Sequence, residues 1–371
     1  MEWLVFHLEC VVEISLDKST GMAKSIAVWL SSVIGKDRAI LAVIVSCAAL
    51  TYGGISLFVV VFAIYPLALN LFREANISRK ILPGVIALGA LTFTMTAIPG
   101  TPQIQNLIPM EHFHTPPTAA PIMGISAALT MFILGYLYPK HRAEKLAAKG
   151  EVFVEPVGEH ESEKSEKLPS PLVSALPMIF VIVAFNAFGL PIIPALLGAI
   201  LIILATNYIK YKDFIKAINA GAGGSLIAIM NTSAAVGFGS VVQAVPAFGA
   251  LADMLFNIPG SPLISVSVAV TLLAGATGSA SGGMGIALSA LGEQYYQLAI
   301  QTGISPEAFH RVASIASGGL DTLPHNGAVL TVFAITGMTH KDSYREVGMV
   351  ACVIPIVALA VAILLGSLGI Y

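Results

Sequence analysis

Most of the chain consists of long apolar segments separated by short clusters of charged residues. Such segments predict membrane helices, because a helix needs about 20 apolar residues to cross a bilayer. The apolar elements that we predict span residues 39–71, 81–109, 118–138, 172–189, 191–209, 222–245, 263–300, 309–338 and 347–371. The pattern therefore predicts an all-α polytopic membrane protein with the lipid bilayer as its surroundings.

Composition supports a membrane protein and argues against a soluble domain, a nucleic-acid-binding protein and a disulfide-rich protein. Of the 371 residues, 56% are hydrophobic and only 11% are charged, whereas soluble domains have about 25% charged residues. The net charge of −2 indicates no nucleic-acid partner. Cys10, Cys47 and Cys352 are far apart in or beside apolar segments, so they predict neither a disulfide framework nor a metal site.

One charged segment divides the chain. Residues 139–171 are charged and interrupted by proline, which is typical of a solvated linker. We predict a first membrane half over residues 1–138, a cytoplasmic linker over 139–171, and a second membrane half over 172–371.

The basic residues predict the orientation. They cluster in the short connections, and no Lys or Arg lies between Lys216 and Arg311. Because basic residues concentrate on the cytoplasmic side, the connections rich in Lys and Arg are predicted to be cytoplasmic. With this threading, residues 39–71 and 263–300 enter the membrane from opposite sides.

The two halves share a weak pattern. Gly53-Gly54 is followed by Ile98-Pro99 in the first half, and Gly282-Gly283 is followed by Leu323-Pro324 in the second. We interpret this as an inverted-topology repeat, an arrangement typical of secondary transporters. Each half then has a re-entrant hairpin, over about 39–71 and 263–300, and a discontinuous transmembrane helix, over about 81–109 and 309–338.

The interruptions carry the candidate binding residues. Proline and glycine break the apolar helices, and broken backbone at membrane depth persists only within protein or around a wet cavity. The unpaired N–H groups where a half-helix begins favour an anion, so a small carboxylate is the predicted ligand. The predicted substrate-binding residues are Gly53, Gly54, Ser56, Thr101, Gln103, Asn106, Ser279, Ser281, Gly282, Gly283, Thr322 and Asn326.

Two ionisable residues at the second break are the candidate proton site. Asp321 and His325 lie in "GGLDTLPHNGA", and an ionisable residue inside a membrane indicates function more often than structure. We predict that they couple transport to protons as a pair, the alternative being a pair that only holds the break together. Gly282 and Gly283 have a similar alternative, which is close helix packing. We predict no metal site, because Glu111, His112 and His114 are only a weak signal.

Several long motifs resemble one family. The stretches "YGGISLFVVVFAIYPLALNLFREANI", "TFTMTAIPGTPQIQN", "GSASGGMGIAL" and "GGLDTLPHNGAVLTVFAITGMTHKDSY" resemble the gluconate/proton symporter (GntP-type) permeases of the ion transporter superfamily, from about Leu16 to the end. The resemblance implies a multi-pass permease of the bacterial inner membrane. It also implies import, with protons, of small hydroxy-carboxylates such as gluconate, related sugar acids or 3-hydroxybutyrate, and no cofactor.

The resemblance leaves two alternatives to proton symport. One is a sodium-coupled organic-anion carrier of the same architecture, since unwound carbonyl groups with Thr and Asn could hold sodium. The other is an intramembrane enzyme that uses Asp321 and His325, which we disfavour because the breaks contain no second aspartate or zinc-ligand set. A large scaffold surface would favour a homodimer.

The start of the chain departs from the family pattern. Family members have further apolar helices before the stretch that matches "LDKSTGMAKSIA", whereas only Met1 to Ser15 precede it here. The expectation is a truncated or displaced start, which would remove scaffold rather than the hairpins and breaks.

Overall fold

The computed structural model describes residues 20–156, 168–207 and 258–371, together with residues 241, 245, 250 and 254–256. All regular secondary structure in these residues is helical, which confirms the all-α prediction. The predicted apolar element over residues 222–245 lies almost wholly outside the described residues.

Seven α-helices lie in the described residues before the linker. Their bounds are α1 Met22–Ile34, α2 Ala39–Tyr52, α3 Leu57–Glu74, α4 Leu82–Leu91, α5 Phe93–Thr96, α6 Ile104–Phe113 and α7 Pro121–Ala147. After the linker come α8 Pro171–Asn186, α9 Ile192–Thr206, α10 Pro262–Thr277, α11 Ala280–Thr302, α12 Pro306–Ser317, α13 Gly327–Thr336, α14 His340–Gly348, a π-helical segment Met349–Val353, and α15 Ile354–Ser367.

Three described helices are long and apolar enough to cross a membrane. They are Leu57–Glu74, Pro121–Ala147 and the continuous run His340–Ser367. Six shorter apolar helices accompany them among the described residues, and short helices are what interrupted spans produce. These features are those of a helical membrane protein.

The linker prediction differs from the structure at its first residues. Helix α7 continues through Pro139 to Ala147, whereas the linker was predicted to begin at residue 139. Lys, Arg, Glu, Ala and Leu dominate residues 140–147, and these residues have high helix propensity. Arg142 also pairs with Glu346, at 2.6 Å between Nη2 and Oε1, which holds this turn in place.

The described residues belong to two compact units. The first unit takes the described residues within 1–90, 136–229 and 331–346, and the second takes those within 91–135, 230–330 and 347–371. Each unit takes segments from both predicted membrane halves, so the units are not the sequential halves.

In the first unit, α2 and α3 form a helical hairpin that packs against α1. Its core includes Ile44, Leu50, Ile64 and Phe72, all fully buried. Ser56 begins α3 as its N-cap, since its Oγ accepts a hydrogen bond from Phe58 N. The tip of this hairpin, residues 53–56, belongs to the first unit.

In the second unit, α10 and α11 form another hairpin, and α12 packs against both arms and against α6 and α15. Every residue of α12 from Ala308 to Ser317 is buried. Ser279 begins α11 as its N-cap and accepts a hydrogen bond from Gly282 N. The buried helix α12 therefore forms the centre of this unit.

Candidate functional site

Two interruptions of the helices lie in the second unit. The first, which we call the first break, separates α5 from α6 over residues 97–103 and contains Pro99, Gly100 and Pro102. Gly100 has a φ of +78°, a conformation that glycine adopts without strain. The second break separates α12 from α13 over residues 318–326 and contains Pro324. Both therefore occur where the sequence removes helical hydrogen bonds.

The helix ends that border the two breaks touch each other. Gly318, at the end of α12, packs against Thr96, at the end of α5, so closely that a Cβ on Gly318 would lie 2.9 Å from Thr96 Cγ2. Ser314 Oγ also donates to Thr96 O at 2.8 Å, which satisfies a carbonyl that the helix end leaves unpaired. The structure thus brings together two regions that are distant in the sequence.

At each break, the side-chain amide of an asparagine bridges two backbone carbonyl groups. Asn106 Nδ2 donates to Thr101 O at 3.0 Å and to Pro117 O at 2.9 Å. Asn326 Nδ2 donates to Asp321 O at 2.9 Å and to Gly278 O at 3.0 Å. An amide NH₂ group has two donors, so both amides are committed to the protein backbone. This geometry favours a structural role for these residues over the predicted contact with substrate.

A histidine that the sequence reasoning missed holds the first break. His310 on α12 is fully buried, with Nε2 3.0 Å from Asn106 Oδ1 and Nδ1 2.6 Å from Thr115 Oγ1. Because Asn106 Nδ2 faces two carbonyl oxygens, its Oδ1 must be the acceptor that faces His310, and Nε2 therefore carries a hydrogen.

Neighbouring polar residues of α12 anchor the connection after α6. Arg311 Nε and Nη2 donate to Ala119 O at 3.1 and 2.8 Å. Glu307 Oε2 accepts from Ala120 N at 2.9 Å. Arg311 is fully buried. Polar residues at positions 307, 310, 311 and 314 have helical spacing, and this stripe is the signal that could have identified them.

Asp321 and His325 do not pair in the structure. Asp321 is only 5% exposed, and its Oδ1 is buried without a hydrogen-bond partner in the described part of the chain. His325 is exposed, and its ring packs over Gly278, whose Cβ position would lie 2.6 Å from His325 Cδ2. Since no ion pair joins them among the described residues, the geometry gives no support to a coupled pair.

The hydroxyl group of Thr322, a predicted substrate-binding residue, is hydrogen-bonded within the protein. Its Oγ1 donates to Ala351 O at 3.0 Å and lies 3.1 Å from Cys352 Sγ. Both partners belong to the π-helical segment, a rare element that is frequent at functional sites. The hydroxyl therefore connects the second break to the helix that ends the chain.

The tip of the second hairpin lies at the second break. Asn326 joins Gly278, the residue before the N-cap of α11, to the backbone of Asp321. Ser279 caps α11, and Ser281 and Gly282 lie half-buried in its first turn. Gly283 instead packs against α10, where an added Cβ would lie 2.2 Å from Ala274 Cα. This close contact favours a role in helix packing over a role in substrate binding.

The remaining predicted binding residues divide between the units. Thr101 is fully buried, with Oγ1 unbonded among the described residues, and Gln103 is half-buried at the N-cap of α6. Gly53, Gly54 and Ser56 lie at the hairpin tip of the first unit, where Gly54 has a φ of +95°. No group of three or more His, Cys, Asp or Glu that could hold a metal occurs in the described residues.

Comparison with known proteins assigns the chain to a family. Residues 14–189 match the profile of the GntP family permeases. The chain is also 42% identical to the uncharacterized transporter YxjC of Bacillus subtilis, over 88% of this chain and 78% of that protein. The chain belongs to the GntP permease family.

A second relative agrees with this assignment. An uncharacterized transporter of Haemophilus influenzae is 24% identical over 88% of this chain and 75% of that protein. The resemblance found in the sequence motifs is thus confirmed. This GntP-family permease is a transporter and a membrane protein rather than an enzyme.

Removal of the His310 ring is expected to destabilise the permease. His310→Ala leaves Asn106 Oδ1 and Thr115 Oγ1 without their partner, and each buried unpaired group costs about 1–3 kcal/mol. His310→Gln can place an amide donor near Asn106 Oδ1 and should retain most of the stability. Thermal unfolding of the purified proteins in detergent measures this difference. The exposed His141→Ala is the control, and equal melting of the Ala and Gln variants would contradict the role of Nε2.

Proposed function

We propose that this permease is a secondary active transporter that imports a small hydroxy-carboxylate with protons across the bacterial inner membrane. Gluconate, a related sugar acid and 3-hydroxybutyrate are the substrates that the family resemblance implies. Membership of a permease family supports transport, and the two broken helices support a binding site in the second unit.

The burial of Asp321 at the second break carries the proposal for proton coupling. Asp321 is 5% exposed and has an oxygen atom without a hydrogen-bond partner within the described ranges. A proton symporter needs a group that can be neutral in one step and charged in another. A buried carboxyl group in a helix break, with one oxygen atom that accepts no hydrogen bond among the described residues, supplies such a group.

The start of α11 supports an anionic substrate. Helix α11 has 23 residues, and its first N–H groups have no partner within the helix apart from what the Ser279 cap supplies. Gly282 N is bonded to that cap. The remaining donors of the first turn and the helix dipole favour a carboxylate near Ser279, Ser281 and Gly282.

The first break supports recognition of hydroxyl groups. Thr101 Oγ1 is buried and has no bond in the described part of the chain. Gln105 on α6 is 4% exposed and has a similarly unbonded Oε1 among the described residues. Unsatisfied buried oxygens are costly, and the hydroxyl groups of a sugar acid could donate to both.

Uptake into proteoliposomes tests the proposed function. We expect the purified chain to accumulate labelled gluconate or 3-hydroxybutyrate when the outside is acidic, and not when a sodium gradient is imposed at equal pH. Accumulation driven only by sodium would support the sodium-coupled alternative. Absence of uptake for both compounds under every gradient would contradict the proposed substrate class.

A further inference from the structure

Asp321 and the start of α11 lie in one small region of the second unit. The single nitrogen Asn326 Nδ2 lies 2.9 Å from Asp321 O and 3.0 Å from Gly278 O. Gly278 immediately precedes the Ser279 cap of α11. The N-terminus of a long helix, which favours an anion, is therefore held next to a residue that is itself an acid.

Nothing in the described residues neutralises an ionised Asp321. The carboxyl group is close to the backbone amides of Asp321 and Thr322, but no ion pair reaches it within the described ranges. The titratable and charged groups on the elements packed around this break are His325, Cys352, Glu307, His310, Arg311, Glu293, Tyr295 and Tyr296. Of these, His310 and Arg311 are bonded to the first break and to Ala119.

Two carboxyl groups that share a buried site cannot both be ionised. Like charges at short distance raise the free energy of the doubly charged state, so such a pair retains one proton. A protonated carboxyl group is also a hydrogen-bond donor, and an O–H···O⁻ bond to a carboxylate is short and strong. The substrate's own carboxylate is the second member of such a pair.

We propose that protonated Asp321 is part of the substrate site and donates a hydrogen bond to the carboxylate of the substrate, beside the N-terminus of α11. This inference rests on the proposed function and specifies its coupling mechanism. The anion binds only when Asp321 carries a proton, because an ionised Asp321 repels it. The O–H bond of Asp321 forms with one proton taken up from outside, and it breaks when the anion leaves to the cytoplasm and that proton is released there.

The mechanism predicts electroneutral transport of a monocarboxylate. One proton and one monoanion together carry no net charge, so a pH gradient drives uptake whereas an imposed membrane potential does not. It also predicts linkage between protons and substrate. At pH values where free Asp321 is ionised, the apparent Kd rises about tenfold for each pH unit, because binding takes up one proton.

Substitution of Asp321 should uncouple the binding of the anion from the binding of the proton. Asp321→Asn keeps a hydrogen-bond donor and cannot ionise. We expect it to bind labelled gluconate or 3-hydroxybutyrate with a Kd independent of pH and to exchange substrate, but to accumulate none in a pH gradient. The matched control is Asp37→Asn, an exposed aspartate outside the second unit, which should retain the tenfold dependence.

Three results would overturn the inference. The first is a pH-dependent Kd in Asp321→Asn, especially if the dependence disappears in His325→Gln instead. The second is uptake in the parent that responds to membrane potential at constant pH. The third uses no substrate and so remains informative if the proposed substrates are wrong: infrared difference spectra of parent minus Asp321→Asn should contain the band of a protonated carboxyl group near neutral pH, and its absence would mean that Asp321 is ionised there.

Discussion

Replacement of Gly283 by alanine is expected to impair folding of the transporter, not only its affinity for substrate. The Cβ of alanine would lie 2.2 Å from both Ala274 Cα and Ala274 N, which are backbone atoms of α10 and cannot rotate away. The two arms of the second hairpin must therefore separate. Overpacking of a core costs about 1–3 kcal/mol, and a clash with backbone belongs to the upper part of this range.

Gly285 provides a matched control on the same helix. An added Cβ at Gly285 meets no atom within 4 Å, and alanine is favoured over glycine in a helix by about 1 kcal/mol. We expect Gly285→Ala to melt at or above the temperature of the parent and Gly283→Ala to melt well below it, with a lower yield of monodisperse protein. Equal melting of the two variants would show that the arms of the hairpin are not in close contact.

The close contact at Gly283 favours one of the two roles that the sequence left open for this glycine, which were substrate binding and close helix packing. The structure places Gly283 against α10 and leaves Ser279, Ser281 and Gly282 at the helix start. Loss of binding in Gly283→Leu would therefore follow from loss of the hairpin and would not identify a binding residue.

Breaking the ion pair between Arg142 and Glu346 is expected to destabilise the first unit strongly. Glu346 accepts from Arg142 Nε at 3.0 Å and from Nη2 at 2.6 Å, and the side chains are 12% and 4% exposed. Removal of one partner from a buried pair costs about 3–5 kcal/mol, because the other charge stays buried without compensation. Thermal unfolding of Glu346→Ala should thus show a large loss of stability.

An exposed pair in the same unit is the control for this experiment. Arg73 and Glu155 are 2.6 Å apart, with 42% and 60% exposure of their side chains, and exposed pairs contribute about 0–1 kcal/mol. Glu155→Ala should therefore melt close to the parent. A double variant that exchanges the charges, Arg142→Glu with Glu346→Arg, should recover part of the loss. A Glu346→Ala variant as stable as Glu155→Ala would contradict the buried pair.

The sequence itself indicated where the helices are interrupted. Pro99, Gly100 and Pro102 lie in the first break and Pro324 in the second, because a missing N–H group or a permissive backbone acts on its own turn of helix. The serines that cap α3 and α11 were also selected from the sequence, as binding residues of the hairpin tips. These features depend on chemistry within a few residues of chain.

The sequence could not indicate which side chains stabilise the two breaks. His310 and Asn106 are 204 positions apart; the sequence indicated Asn106 as a binding residue and gave no role to His310. Asp321 and His325, four positions apart, looked like a pair, but the turn at Pro324 leaves one buried and the other exposed. Proximity along the chain was therefore a poor guide inside a broken helix.

The apolar segments, together with their proline and glycine residues, by themselves determined that the protein is a helical membrane protein and where two of its helices break, because bilayer length and backbone hydrogen bonding act on each segment separately. Only the tertiary structure decided that Gly283 packs against α10, that Asn106 and Asn326 are committed to backbone carbonyls, and that buried Asp321 and exposed His325 both lie near the start of α11 without pairing with each other. In a membrane protein the surface that faces lipid is as apolar as the surface that faces a neighbouring helix. Hydrophobicity along the chain therefore does not predict which helix faces pack against each other. Only the contacts between distant segments in the folded structure show this.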